Sequence, residues 1–175
     1  VPTSLRGSVP KVVAAIVLGR ELGLPPMTAL AQTFIIGGRP GTYAEMQRAL
    51  ILAAGHQFRV TEQTEARCVI RCRRADWPLD EWATFSFTMQ EAQRAGYART
   101  NANYQKAPAD MLLARCTGRM AKATFADVIH GLSTVEELMD LGPEGEAPVP
   151  PVPQPSTKVS RQGATPAPAV EGGTD

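Results

Sequence analysis

"NYQKAPADMLLARCTGRMA", residues 103–121, is the stretch on which the fold turns. Pro108 suits the first turn of a helix, where its missing N–H would have had no partner. Leu113, Cys116 and Met120 then recur at helical spacing and predict a face turned to a core. At about 100° per residue, Arg115, Arg119 and Lys122 fall within about 60° of one another, away from that face. The stretch therefore predicts a long helix with one side buried and a cationic stripe on another.

The segments before it supply what the helix packs on. "HQFRVTEQT" (56–64), "EARCVIRCRR" (65–74) and "WATFSFTM" (82–89) read as three consecutive strands with short links. In the second, Cys68, Ile70 and Cys72 alternate with Arg67, Val69, Arg71 and Arg73, a period of two with one mostly apolar face. The order predicts an antiparallel meander. Further helices are expected at about 10–22, with Val12, Val13, Ile16, Val17 and Leu22 as apolar positions, and over "LPPMTALAQ" (24–32). "TFIIGGRPG" (33–41) reads as a short strand and a tight turn. Three capping boxes, Thr42 with Glu45, Thr88 with Glu91 and Ser133 with Glu136, predict helix starts. Met46, Ala49, Leu50 and Ala53 give the first of these regions its helical spacing, up to Gly55. The expected fold class is α+β: a small antiparallel β-meander packed by helices.

Composition divides the chain. Residues 1–141 have the make-up of one ordinary domain, whereas 142–175 are rich in proline and hold no aromatic residue. Such a tail cannot bury enough apolar surface to offset the entropy of ordering, so it is expected to be disordered. The formal charge of +1 is uneven: Glu144, Glu146, Glu171 and Asp175 against Lys158 and Arg161 leave the tail at −2 and the preceding domain at about +3. A modest basic excess permits an anionic partner. No run of 18 apolar residues occurs, so no membrane association is expected. The chain begins with Val, and a further N-terminal segment is expected to precede it. Cys68, Cys72 and Cys116 make an odd count with no CxxC spacing, which predicts buried free thiols in a reducing, cytoplasmic setting.

Neither a catalytic residue, a cofactor nor a metal is expected. "GGRPGTY" lacks the Lys of a phosphate-binding loop, and its glycines serve a turn. HExxH and GxSxG are absent, and His56 and His130 stand 74 positions apart. Asp110 and Asp127 are the one pair that a metal-dependent nuclease could use, although acids in a first turn also suit the helix dipole. The cationic stripe carries more. No acid falls within it, Arg94, Arg99 and Lys106 precede it, and Tyr97 and Tyr104 are interleaved with these cations. Cations follow phosphates and aromatic rings stack unpaired bases, so the combination points to single-stranded nucleic acid.

At these residues a family resemblance enters. "KAPADMLLARCTGRMAKATFADVIHGLSTVEEL" (106–138) resembles the C-terminal part of phage and bacterial RecT-like (RecT/Redβ-type) single-strand annealing proteins. The matching residues are Tyr104, Lys106, Pro108, Met111, Leu112, Ala114 and Arg115, then Phe125, Asp127, Val128, Gly131, Leu132, Glu136, Glu137 and Leu138. "GRELGLPPMTALAQTFIIGGRPGTYAEMQRALILAAGH" (19–56) is similar to the family's opening, and the resemblance spans about residues 10 to 141. It implies ATP-independent annealing of complementary strands in recombination. It also implies homo-oligomeric rings or filaments, and a partner exonuclease or host single-strand-binding protein. The expected DNA contacts are Arg99, Tyr104, Lys106, Arg115, Arg119 and Lys122. The alternatives are a metal-dependent nuclease and a non-enzymatic assembly or adaptor domain.

Overall fold

The structure is a computed structural model that describes residues 7–140. The Pro-rich tail expected from residue 142 lies outside the described residues. In chain order the elements are α1 (Val9–Glu21), α2 (Pro26–Gln32), β1 (Thr33–Ile36), β2 (Arg39–Thr42), α3 (Ala44–Ala53), β3 (Gln57–Gln63), β4 (Arg67–Arg73) and β5 (Ala83–Thr88). They continue with α4 (Met89–Arg94), α5 (Tyr97–Thr100), α6 (Asn103–Lys106), α7 (Pro108–Thr124), α8 (Ala126–Ile129), β6 (Ser133–Thr134) and α9 (Val135–Asp140). The class is α+β, as expected. Among the described residues no single helix is long and apolar enough to cross a membrane.

Strands β3, β4 and β5 form the meander, antiparallel throughout. Period two sends Cys68, Ile70 and Cys72 to the inner side, where all three are fully buried. Their partners Phe58, Phe85 and Phe87 continue that side across the sheet. Helix α7 lies on this surface with Leu112, Cys116 and Met120, and Ile51 of α3 and Phe125 close the cluster. Cys68, Cys72 and Cys116 are free and buried, as the odd count predicted. The Cys68 contact and then burial push the Cys116 thiol far up, so it stays protonated.

A second sheet was not foreseen. "TFIIGGRPG" is a hairpin, with Ile36 paired to Arg39 across Gly37 and Gly38. Both glycines have positive φ, 56° and 75°, as a two-residue primed turn requires. Strand β6, only Ser133–Thr134, joins β2 in parallel. This pairing moves two helix starts. Thr42 is paired with Thr134 and fully buried, so its hydroxyl caps nothing, and Tyr43 takes the N-cap position of α3. The box expected at Ser133 and Glu136 is shifted by one. Glu137 N donates to Thr134 Oγ1 and Thr134 N to Glu137 Oε2, both at 3.1 Å. The box at Thr88 and Glu91 forms as expected.

Two apolar faces also differ from expectation. Helix α3 buries Ala44, Gln47 and Ile51 instead of Met46, Ala49, Leu50 and Ala53, because Gln47 Nε2 donates to Leu132 O at 2.9 Å and fixes the inward side. Helix α1 buries Ala15 and Gly19, and leaves Val13 and Val17 about half exposed. A Cβ on Gly19 would overlap that of Ala29, so the two helices cross at contact distance on their smallest residues.

The far end of α7 is fastened by Arg74. Its Nη1 donates to Thr124 O and to Asp127 Oδ1, and its Nη2 to Asp127 Oδ2, each at 2.8 Å. The forked hydrogen bonds hold the Asp127 carboxyl down to about 2, against about 3.9 in an unfolded chain. A depressed carboxylate contributes stability above its unfolded value and loses it as pH falls through the folded one. The melting temperature of the wild type should therefore exceed that of Asp127→Asn by a constant margin at pH 5–7. That margin should shrink below about pH 4 and close near pH 2, as followed by circular dichroism.

Candidate nucleic-acid interface

The α7 cations lie on one side of the helix, but that side is not open. Three acids from two other elements reach it. Arg115 Nη1 is 3.6 Å from Asp140 Oδ2 of α9. Arg119 Nη2 donates to Glu91 Oε1 of α4 at 3.0 Å, and its Nη1 to Ser86 O. Lys122 Nζ meets Glu137 Oε2 at 2.6 Å. Arg115 also lies over the Tyr97 ring at 4.1 Å, and Arg119 over Phe87 at 4.8 Å. The stripe that was free of acids along the chain is thus neutralised in the fold. Arg119 and Lys122 keep exposed side chains, while that of Arg115 is 13% exposed.

Tyr104 is corrected outright as a stacking residue. It is 2% exposed, and its hydroxyl donates to Asp140 Oδ2 at 2.9 Å. Asn101 Nδ2 donates to the other oxygen at 2.9 Å. Asp140 is therefore a buried carboxylate with two neutral donors and one cation. Burial pushes its carboxyl up, while Asn101, Tyr104 and Arg115 hold it back. The same burial, with Asp140 beside it, pushes the Tyr104 phenol well up. The signature residues Tyr104 and Arg115 are structural here: they anchor the last described helix. Arg99 and Lys106, on α5 and α6, are exposed, and among the described residues no carboxylate pairs with them.

The outer side of the β3–β4–β5 sheet has the character expected of the stripe. The alternation that buries the cysteines sends Arg71 and Arg73 outward, and register sets Arg59 directly opposite Arg71. Their guanidinium carbons lie 5.4, 5.6 and 5.8 Å from the ring centre of Trp82, for Arg59, Arg71 and Arg73 in turn. Among the described residues no carboxylate lies within ion-pair distance of any of the three. Like charges placed opposite each other on a sheet are destabilising. Cation–π contact with Trp82 offsets part of that repulsion, by about 0.5–1 kcal/mol at each exposed site. The three arginines, Trp82, Thr61 and Leu79 line a cleft of about 450 Å³. Arg73 is 8% exposed, and its buried Nε has no acceptor.

This set was missed in the sequence although its parts were visible. The period-two alternation places Arg71 and Arg73 together. What the sequence withholds is the register that adds Arg59 and the loop path that returns Trp82. A different cleft, of about 360 Å³, sets Glu45, Asp110 and Glu136 around Arg48. With three carboxylates to one cation it repels phosphate. Asp110 and Asp127 are not brought together. They sit at opposite ends of α7, on the order of 20 Å apart along a helix rising about 1.5 Å per residue. Asp110 accepts from Gln63 and Asp127 from Arg74. His56 Nδ1 accepts from Ala75 N, and its ring stacks on Phe125 at 5.0 Å. Among the described residues no group of three His, Cys, Asp or Glu side chains is placed to hold a metal ion.

No family model and no curated protein matches the chain.

The Asp140 cluster makes a direct prediction. Arg115→Ala leaves a fully buried carboxylate without its cation and should cost roughly 3–5 kcal/mol of stability at pH 7. Loss of the cation raises the folded Asp140 value further above the unfolded one, and a raised carboxyl makes folding take up a proton. The deficit should therefore shrink as pH falls from 7 toward 5. Urea melts of both proteins at the two pH values check it.

Proposed function

We propose that the protein binds single-stranded DNA without sequence preference and anneals complementary strands without ATP. The observation that carries this reading is the convergence of Arg59, Arg71 and Arg73 on Trp82 with no carboxylate among them. A sheet face that keeps three cations uncompensated is suited to an anion supplied from outside. The partly exposed indole beside them is suited to an unpaired base. The RecT-like sequence pattern supports the same class of ligand.

Annealing needs no bond chemistry from these residues. Two complementary strands repel through their phosphates. A surface that neutralises one backbone lowers that barrier and leaves base edges free to pair. One aromatic ring keeps stacking weak enough for a bound base to exchange into a duplex. In this reading the protein works as an assembly of its own copies. The exposed row Val9, Val13 and Val17 on α1 is apolar surface available for that contact.

The deciding experiment mixes labelled complementary oligonucleotides with the protein in the absence of ATP. Pairing should accelerate with both strands intact; strand cleavage instead would establish the nuclease alternative. Arg71→Ala should weaken binding to every sequence about equally and reduce the slope of log K against log salt by about 0.7. Unchanged affinity in that folded variant removes the sheet face from the DNA site. Light scattering of Val13→Asp should show a smaller particle than the wild type, and an unchanged mass discards the α1 contact.

A further inference from the structure

The three arginines are arranged around a point and not along a track. Arg59 and Arg71 face each other across one strand pair, and Arg73 is two residues further along β4. All three guanidinium carbons lie within 5.8 Å of one ring centre. A strand interior offers one negative charge per phosphodiester, spread along a backbone, which a row of cations serves best. A terminal phosphate monoester concentrates more. Its second pKa is near 6, so at neutral pH it carries about −1.5 to −2, with three strong acceptor oxygens. Three guanidinium groups focused on one cleft match that ligand in charge and in number of acceptors.

The size of the cleft agrees. The volume of about 450 Å³ lies in the range of sites for one small ligand unit. It admits a phosphate on the arginines and a terminal nucleoside against Trp82 and Leu79.

We propose that the Arg59–Arg71–Arg73 cleft recognises the phosphorylated end of a DNA strand, with Trp82 flanking the terminal nucleoside. The inference rests on the reading of this face as the DNA site and deepens it. A protein that holds strand ends is placed to act where an end-resecting nuclease has just worked. The shared chemistry is the phosphate monoester, and the two possible sources are a 5′ and a 3′ end.

The test measures affinity of the full chain for internally labelled oligonucleotides of one sequence. They carry a 5′-phosphate, a 3′-phosphate or hydroxyls at both ends, or are closed into a circle. One phosphorylated form should bind about tenfold tighter than the hydroxyl form, equal to about 1.4 kcal/mol, and which one does so identifies the end. The circle should bind like the hydroxyl form. The preference should fade as pH is lowered through about 6, where the monoester loses its second charge. Arg71→Gln, at an exposed position, should abolish the preference, bringing the phosphorylated and hydroxyl forms to one common affinity below that of the wild type. Arg73→Lys serves as a second variant, keeping the charge and removing the fork, and should reduce the preference. Equal affinity for all four ligands overturns the end-recognition inference and leaves single-strand binding standing. Failure of all four to bind overturns both.

Discussion

Eight of the seventeen residues of α7 are buried, and the charged side chains that remain on it must sit close to other elements. This enclosure is the constraint that organises the molecule. The inner face of the meander takes Leu112, Cys116 and Met120. Helices α4 and α9 and strand β6 then crowd the flank, each bringing a carboxylate or a hydroxyl to a cation: Glu91, Asp140, and Glu137 with Ser133. Gly118 shows how tight the flank is, since a Cβ there would stand 2.7 Å from Glu137 Oε1. The cations of α7 are the means by which the C-terminal elements are held to the helix.

The same enclosure explains which cations remain without a carboxylate. A meander with one face under a helix has its other face exposed, and alternation sorts the residues between the two. Here the sorting places thiols and aliphatic groups inside and arginines outside. Several acids of the described domain are engaged elsewhere, on α7, on Arg74 and around Arg48, and Glu62 pairs with Arg67. Among the described residues Arg59, Arg71 and Arg73 have no carboxylate within ion-pair distance.

Tyr104 and Arg115 show how a sequence motif and a site can part. Both read from the sequence as ligand-binding types. In the structure they complete a buried cluster on Asp140, with Asn101 as the fourth member. Their value to the protein is positional. They fix α9 against α6 and α7, and so set where the chain leaves the described domain. These residues carry architecture, while the unpaired arginines sit on a sheet face that the stretch does not include.

Local chemistry determined much of this protein. Period two gave the three meander strands and their buried cysteines. Pro108 gave the start of α7, and the Thr88–Glu91 box gave the start of α4. These features depend on residues a few positions apart, where backbone geometry alone decides which side chains share a face. The tertiary structure decided what depends on distant partners. Asp140 and Glu137 neutralise Arg115 and Lys122 across 25 and 15 positions, and Glu91 reaches Arg119 across 28. Strand β6 draws Thr42 out of its cap through a pairing of more than ninety positions. Arg59, Arg71 and Trp82 converge only once hairpin register and loop path are set. No short-range spacing encodes whether a charge will meet its opposite in the fold. That is the property separating a cation that holds the protein together from one left free for a phosphate.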